Sequence, residues 1–104
     1  MVQFRLSATS AQQRVRELAL DTGCLIWTDH IQQRMTERGI DSDAVLRILR
    51  TGDCETAPEE GKKPGDWKIK MVRKLSTGRT AGVVTVLVER NRLVLVTAEW
   101  EDQR

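Results

Sequence analysis

His30 is the only histidine in the chain, and Arg34 follows it four residues later. An imidazole takes up and gives up protons near neutral pH, and a guanidinium one helical turn away stabilises negative charge. Together they are the best candidates in the chain for proton-transfer chemistry. The segment carrying them, from Thr28 to Ile40, reads as a helix capped by Thr28 or Asp29 and stopped by Gly39. At about 100° per residue, Ile31 and Met35 form its buried stripe, and His30, Arg34 and Glu37 share the flank beside it. Arg38 falls inside the apolar sector, where a guanidinium must snorkel out or find an acid or carbonyl partner, so it is read as structural. The competing reading of His30 is a packed, hydrogen-bonded side chain.

Charge is unevenly spread. From Lys62 to Arg92 there are nine basic residues against two acids, Asp66 and Glu89, a net +7; the whole chain carries +2, so the remainder carries −5. The basic stretch suits an anionic partner, with nucleic acid the first candidate, or else a solvated sheet face whose lysines discourage edge pairing. Lys68, Lys70, Lys74 and Arg79 are the candidate nucleic-acid-binding residues. Cys24 and Cys54 form no C-x-x-C pair, and one histidine without a dense acidic cluster indicates no metal; no cofactor is expected. The start of the chain lacks a signal-peptide layout and no apolar run has membrane length, so a cytoplasmic protein without membrane contact is expected.

The elements that must position these groups follow from periodicity. Val2, Phe4 and Leu6 alternate as a short extended start. Thr9, with Gln12 in the capping-box position, opens a first helix over residues 10–22, with Gly23 as its stop. Leu25 to Trp27 reads as an apolar link. A third helix starts at Asp41 or Ser42, with Ile40 and Val45 spaced as a hydrophobic staple and Gly52 at its end. Cys54 to Ala57 is a candidate short strand, and residues 56–66, with Pro58, Gly61, Pro64 and Gly65, form an exposed loop. Trp67 to Leu75 alternates as a strand with one basic face, Ser76 to Arg79 makes a hairpin turn, and Val83 to Val88 is a central strand apolar on both faces. A tight turn at Asn91 leads to a last strand, Leu93 to Trp100. The expected fold is α+β: N-terminal helices packed on a C-terminal antiparallel meander of three to four strands, in one domain spanning residues 1–104. The helices cover one face of the sheet; the first helix, the N-terminal segment or a second subunit in a homodimer covers the other.

The run His30, Arg34, Met35, Glu37, Arg38, Gly39 and Ile40 resembles the signature of the small bacterial domains known as domain of unknown function 4258. The Val45-Leu46 helix, Gly52, Gly78-Arg79, Val83-Val84 and Val96-Thr97 agree with it. The resemblance covers residues 26–100 and leaves residues 1–25 as an N-terminal extension and helix. The order of helices and meander is similar to that of RelE/ParE-type and colicin-like ribonuclease toxins. That likeness implies His30 as general base and Arg34 and Thr97 as further catalytic residues, Thr97 hydrogen-bonding the substrate. It also implies RNA as substrate and an antitoxin-like protein as partner, with the first helix available to bind it. The alternative is a non-catalytic module of the same fold that binds nucleic acid or protein.

Overall fold

A computed structural model describes residues 5–102. Val2 and Phe4, part of the expected extended start, lie outside the described residues. The first helix, α1 (Ala8–Leu18), begins two residues before the expected position because Ser7, not Thr9, is its cap: the Ser7 hydroxyl accepts the Ser10 N–H. Gln12 closes no capping box; its side-chain oxygen accepts the Cys54 N–H at 2.9 Å and ties α1 to the chain beyond the third helix. Nor does Gly23 stop α1. The helix ends at Leu18, and Thr22–Cys24 forms a separate 3-10 turn capped by Asp21, whose carboxylate accepts the Gly23 N–H.

The apolar link is a strand, β1 (Leu25–Trp27), which pairs in parallel with the last strand of the sheet. Helix α2 (Asp29–Arg38) is capped by Thr28 and ends at Gly39, whose φ of 65° is the left-handed conformation that glycine reaches without strain. Helix α3 (Ser42–Thr51) takes Asp41 as its cap, and both staple residues, Ile40 and Val45, are buried. Arginines brace the helix ends: Arg16 donates to the Gly52 carbonyl at 2.9 and 2.6 Å, and Arg50 donates to the Ala19 carbonyl at 2.8 Å.

The second strand is not at Cys54–Ala57. Asp53 makes a single bridge to Val72, and the Cys54 thiol, buried and donating to the Thr56 carbonyl at 3.2 Å, curls the chain away from the sheet. The pairing resumes at β2 (Glu59–Glu60), inside the segment expected to be loop. Strands β3 (Trp67–Lys74), β4 (Thr80–Val88) and β5 (Arg92–Trp100) complete a sheet of order β1-β5-β4-β3-β2. The expected antiparallel meander of three to four strands is present as β2 to β5, with β2 displaced from Cys54–Ala57; parallel β1 makes the sheet five-stranded and mixed, one strand more than expected.

All three helices lie on one face. Ala11 and Val15 of α1, Ile31 of α2 and Ile48 and Leu49 of α3 share one core with Ile69, Met71, Val83, Leu93 and Leu95. The first helix therefore does not cover the second face. Alternation puts Lys68, Lys70, Lys74, Val84, Val86, Val94 and Ile26 on that side, where Ile26 is 39% exposed. On the core side the alternation of β5 is broken once. Val84 pairs with Thr97 and Thr85 with Leu95, leaving Val96 as the extra residue of a β-bulge. The bulge lets Leu95 and Ala98, three residues apart, both point into the core.

The β4–β5 hairpin carries local strain. Glu89 and Arg90 have φ values of 52° and 67°, a region costing L-residues about 1–2 kcal/mol each. The turn closes through the Asn91 N–H on the Val88 carbonyl, and the Arg14 guanidinium clamps the Arg90 carbonyl at 3.0 and 2.5 Å. Asn91, the residue expected to shape the turn, follows these two positions. Arg90→Gly should raise stability by roughly 0.5–1 kcal/mol, the relieved strain less the greater backbone freedom of unfolded glycine. Urea unfolding checks this; an unchanged or lower midpoint would show that the turn is relaxed as it stands.

Candidate functional site

Helix α2 is fastened to β5 at both ends by side chains. The Thr28 hydroxyl accepts the Ile31 N–H at 3.1 Å as a cap and donates to the Leu95 carbonyl at 2.7 Å. At the other end Arg38 Nη1 donates to the Ala98 carbonyl at 2.7 Å, and Trp100 Nε1 donates to the Arg38 carbonyl at 2.7 Å. Arg38 thus finds the carbonyl partner that its place in the apolar sector requires. Because β1 stops at Trp27, β5 beyond Leu95 has no strand on its outer side among the described residues, and α2 supplies the partners instead.

This clamp orients the chemistry-bearing flank. His30, Arg34 and Arg38 advance about 40° per step around α2; Arg38 reaches the Ala98 carbonyl of β5, while His30, about 80° around from it, stands on the solvent side of the same flank. His30 is exposed and makes no hydrogen bond or ion pair with a described residue. It is neither packed nor engaged. Arg34 is half-buried, and its Nη1 meets Glu37 Oε2 at 2.7 Å. Hydrogen bonds from Arg34 and then from Gln33 hold the Glu37 carboxyl below the ordinary glutamate range. A guanidinium has five N–H donors, so this single contact leaves Arg34 able to bind an anion.

Thr97 follows the bulge and is half-buried on the helix-free face, in a row with Val84 and Lys70. The structure therefore places His30 and Arg34 on α2, on the helix-covered side of the sheet, and Thr97 on the opposite face, with Lys70 two strands from Thr97, about 10 Å at the usual strand spacing. Lys70 is not a free cation. Its ammonium lies 2.8 Å from Glu101 and 3.1 Å from Glu99. Partial burial pushes its pKa down, but the hydrogen bonds to Glu101 and Glu99 outweigh that and hold it above the ordinary lysine range.

Lys68 and Lys74 lie exposed on the same face of β3, with no ion pair among the described residues. Arg79 stands apart, at the β3–β4 turn, where it pairs with Asp102 at 3.2 Å and stacks 4.0 Å from the Trp100 ring centroid. The four basic residues therefore do not form one continuous positive patch. Three features of this edge have no signal within the α2 motif: the anchoring Trp100 indole, the bulge at Val96, and the acids Glu99 and Glu101 beside Lys70. Among the described residues, no group of three or more His, Cys, Asp or Glu is placed to hold a metal, and no helix is long and apolar enough to cross a membrane.

The family model described as domain of unknown function (DUF4258) matches residues 27–100, from the last residue of β1 to the last of β5. The chain belongs to this family. The DUF4258 match begins immediately before the Thr28 cap and closes on Trp100, so it contains both ends of the α2–β5 clamp and leaves α1 outside. No curated protein and no solved structure matches the chain.

Proposed function

We propose that this protein is a slow, metal-independent endoribonuclease with the likeness to toxins described above. The observation that carries the reading is His30: an exposed imidazole, without a partner among the described residues, on a helix that Thr28 and Arg38 anchor to β5. In this reading His30 takes the proton of an RNA 2′-hydroxyl, the 2′-oxygen bonds to phosphorus, and the bond to the 5′-oxygen breaks. Arg34 stabilises the charge on the phosphoryl oxygens, and Thr97 donates a hydrogen bond to the substrate. The chain has no second histidine and no tyrosine to protonate the leaving oxygen. Lys70, held protonated by two carboxylates, contributes charge rather than a proton. The leaving oxygen takes its proton from water, which keeps the reaction slow.

Cleavage of a mixed-sequence RNA in the presence of a chelator tests the reading. No cleavage, or cleavage abolished by the chelator, removes it. Binding should weaken with salt: contacts from Lys68, Lys74 and Arg34 to a single strand give a log–log slope of about −2, at roughly −0.7 per phosphate. Lys68→Ala and Lys74→Ala should each make that slope shallower by about 0.7. A flat salt response removes RNA as a ligand.

One observation favours a second reading, a non-catalytic module for a protein partner. Arg34, Lys70 and Arg79 all face carboxylates of this chain, so the surface presents paired charges rather than a positive field. An antitoxin-like partner would find Leu20, 72% exposed just beyond α1, outside the family match.

A further inference from the structure

We propose that the cleft at the end of the sheet beside Trp100 binds a single guanine base. The cleft encloses about 240 Å³ between the α2–α3 corner and the β3–β4 turn, and Asp43, Arg47, Ser76, Thr77 and Trp100 are among its walls. That volume is below the usual range for drug-sized ligands, about 300–1,000 Å³, and suits one base.

Three features of the cleft point to this ligand. First, the Trp100 ring is held in place by its N–H on the Arg38 carbonyl, so an aromatic wall stands ready at no ordering cost. The Arg79 guanidinium, a planar group, already lies 4.0 Å from the ring centroid, yet Arg79 is not a wall of the cleft. Second, Asp43 and Arg47 stand one turn apart on α3, both exposed, and make no ion pair with each other or with another described residue. A carboxylate and a guanidinium side by side need a ligand edge that offers both donors and acceptors. Guanine does so most fully: its N1–H and N2–H donate to a carboxylate, while O6 and N7 accept from an arginine. Uracil has a single ring N–H donor. Third, Ser76 and Thr77 bring hydroxyl-bearing side chains to the cleft lining; the Thr77 hydroxyl accepts the Arg79 N–H at 3.4 Å and keeps its own proton to donate to a sugar or a phosphate.

The inference rests on the ribonuclease reading only for the source of the base, a guanosine in RNA. The test uses the ¹⁵N-labelled protein. The Trp100 indole N–H resonance is assigned with Trp100→Phe and followed during titration with GMP, AMP, UMP and a short RNA containing one guanosine. Expected are movement of the Trp100 signal and of the Ser76 and Thr77 amides with GMP and the RNA, and little with UMP. Asp43→Asn should weaken GMP about tenfold relative to AMP, and Arg47→Gln should weaken it by a similar factor; both residues are exposed and leave the fold intact.

A response to the RNA alone assigns the site to a base within a strand, and an equal response to GMP extends it to the free nucleotide. No movement of the Trp100 signal with either, or equal affinity for all nucleotides, overturns the proposal. The two readings separate cleanly. GMP binding without any cleavage leaves the base site standing and removes the ribonuclease, whereas cleavage that depends on His30 but ignores Asp43→Asn and Arg47→Gln does the reverse.

Discussion

His30→Ala should lower RNA cleavage at least about 100-fold, the ordinary contribution of a positioned general base. The same substitution should leave unfolding stability within about 0.5 kcal/mol of the parent, because an exposed side chain with no partner among the described residues holds nothing in place. The separation of the two effects is what gives the experiment force. A structural histidine would lose stability and activity together. A bystander would lose neither. Cleavage and urea unfolding measured on one preparation decide among these outcomes, and activity within threefold of the parent would remove His30 from the chemistry. Arg34→Gln is the companion: it removes the charge offered to phosphate and also frees Glu37. The Glu37 carboxyl is held below its usual range by Arg34, so its ion pair with Arg34 forms above the unfolded carboxylate pKa and is lost as pH falls through the lower folded value.

Arg38→Met should be the most damaging substitution outside the core. The methionine keeps an apolar stem along α2 but removes the donor to the Ala98 carbonyl. A hydrogen bond from a charged group contributes about 1.5–3 kcal/mol, and the carbonyl left behind lies on a strand edge that no other strand of the described residues covers. A loss of about 2 kcal/mol corresponds to a fall in melting temperature of roughly 8–16 °C for a domain near 100 residues. Arg38→Lys should recover only part of this, since an ammonium lacks the reach of the planar fork. Trp100→Phe, which loses the bond to the opposite side of the same residue, should cost about 1 kcal/mol. Thermal unfolding of the three variants checks the order. An Arg38→Met protein as stable as the parent would show that the β5 edge is satisfied by water and that α2 is held by Ile31 and its neighbours alone.

The parts of the fold that were legible in the sequence are those written in neighbouring residues. Thr28 and Gly39 bound α2 because a cap and a left-handed stop each act within one turn, and the carbonyl partner of Arg38 follows from its angle on the same helix. The parts that were hidden depend on distant pairings. Leu25–Trp27 is too short for alternation to show, and only its parallel pairing with residues 93–95 makes it a strand. The bulge lies in an apolar run, Val94 to Thr97, without a glycine to mark it. At α1, Ser7 and Thr9 carry the same capping chemistry, and Gln12 was spent on a contact with Cys54 that no local pattern announces. The candidate site shows the same division. His30 and Arg34 stand out by type and spacing, whereas the neutralisation of Lys70 comes from Glu99 and Glu101, some thirty residues further along the chain.

The dependence of α2 on β5 has a consequence for when the site comes into existence. Thr28 and Arg38 are synthesised early, but the carbonyls they dock on belong to Leu95 and Ala98, in the last strand of the sheet to be made. Until that strand leaves the ribosome, α2 has no edge to rest against, and the helix that carries His30 is not anchored. Helices form within microseconds, whereas residues are added at about 5–20 per second, so the helical half waits several seconds for its partner. A protein that cut RNA in this way would be assembled without being armed, and the message being translated beside it would be spared during that interval.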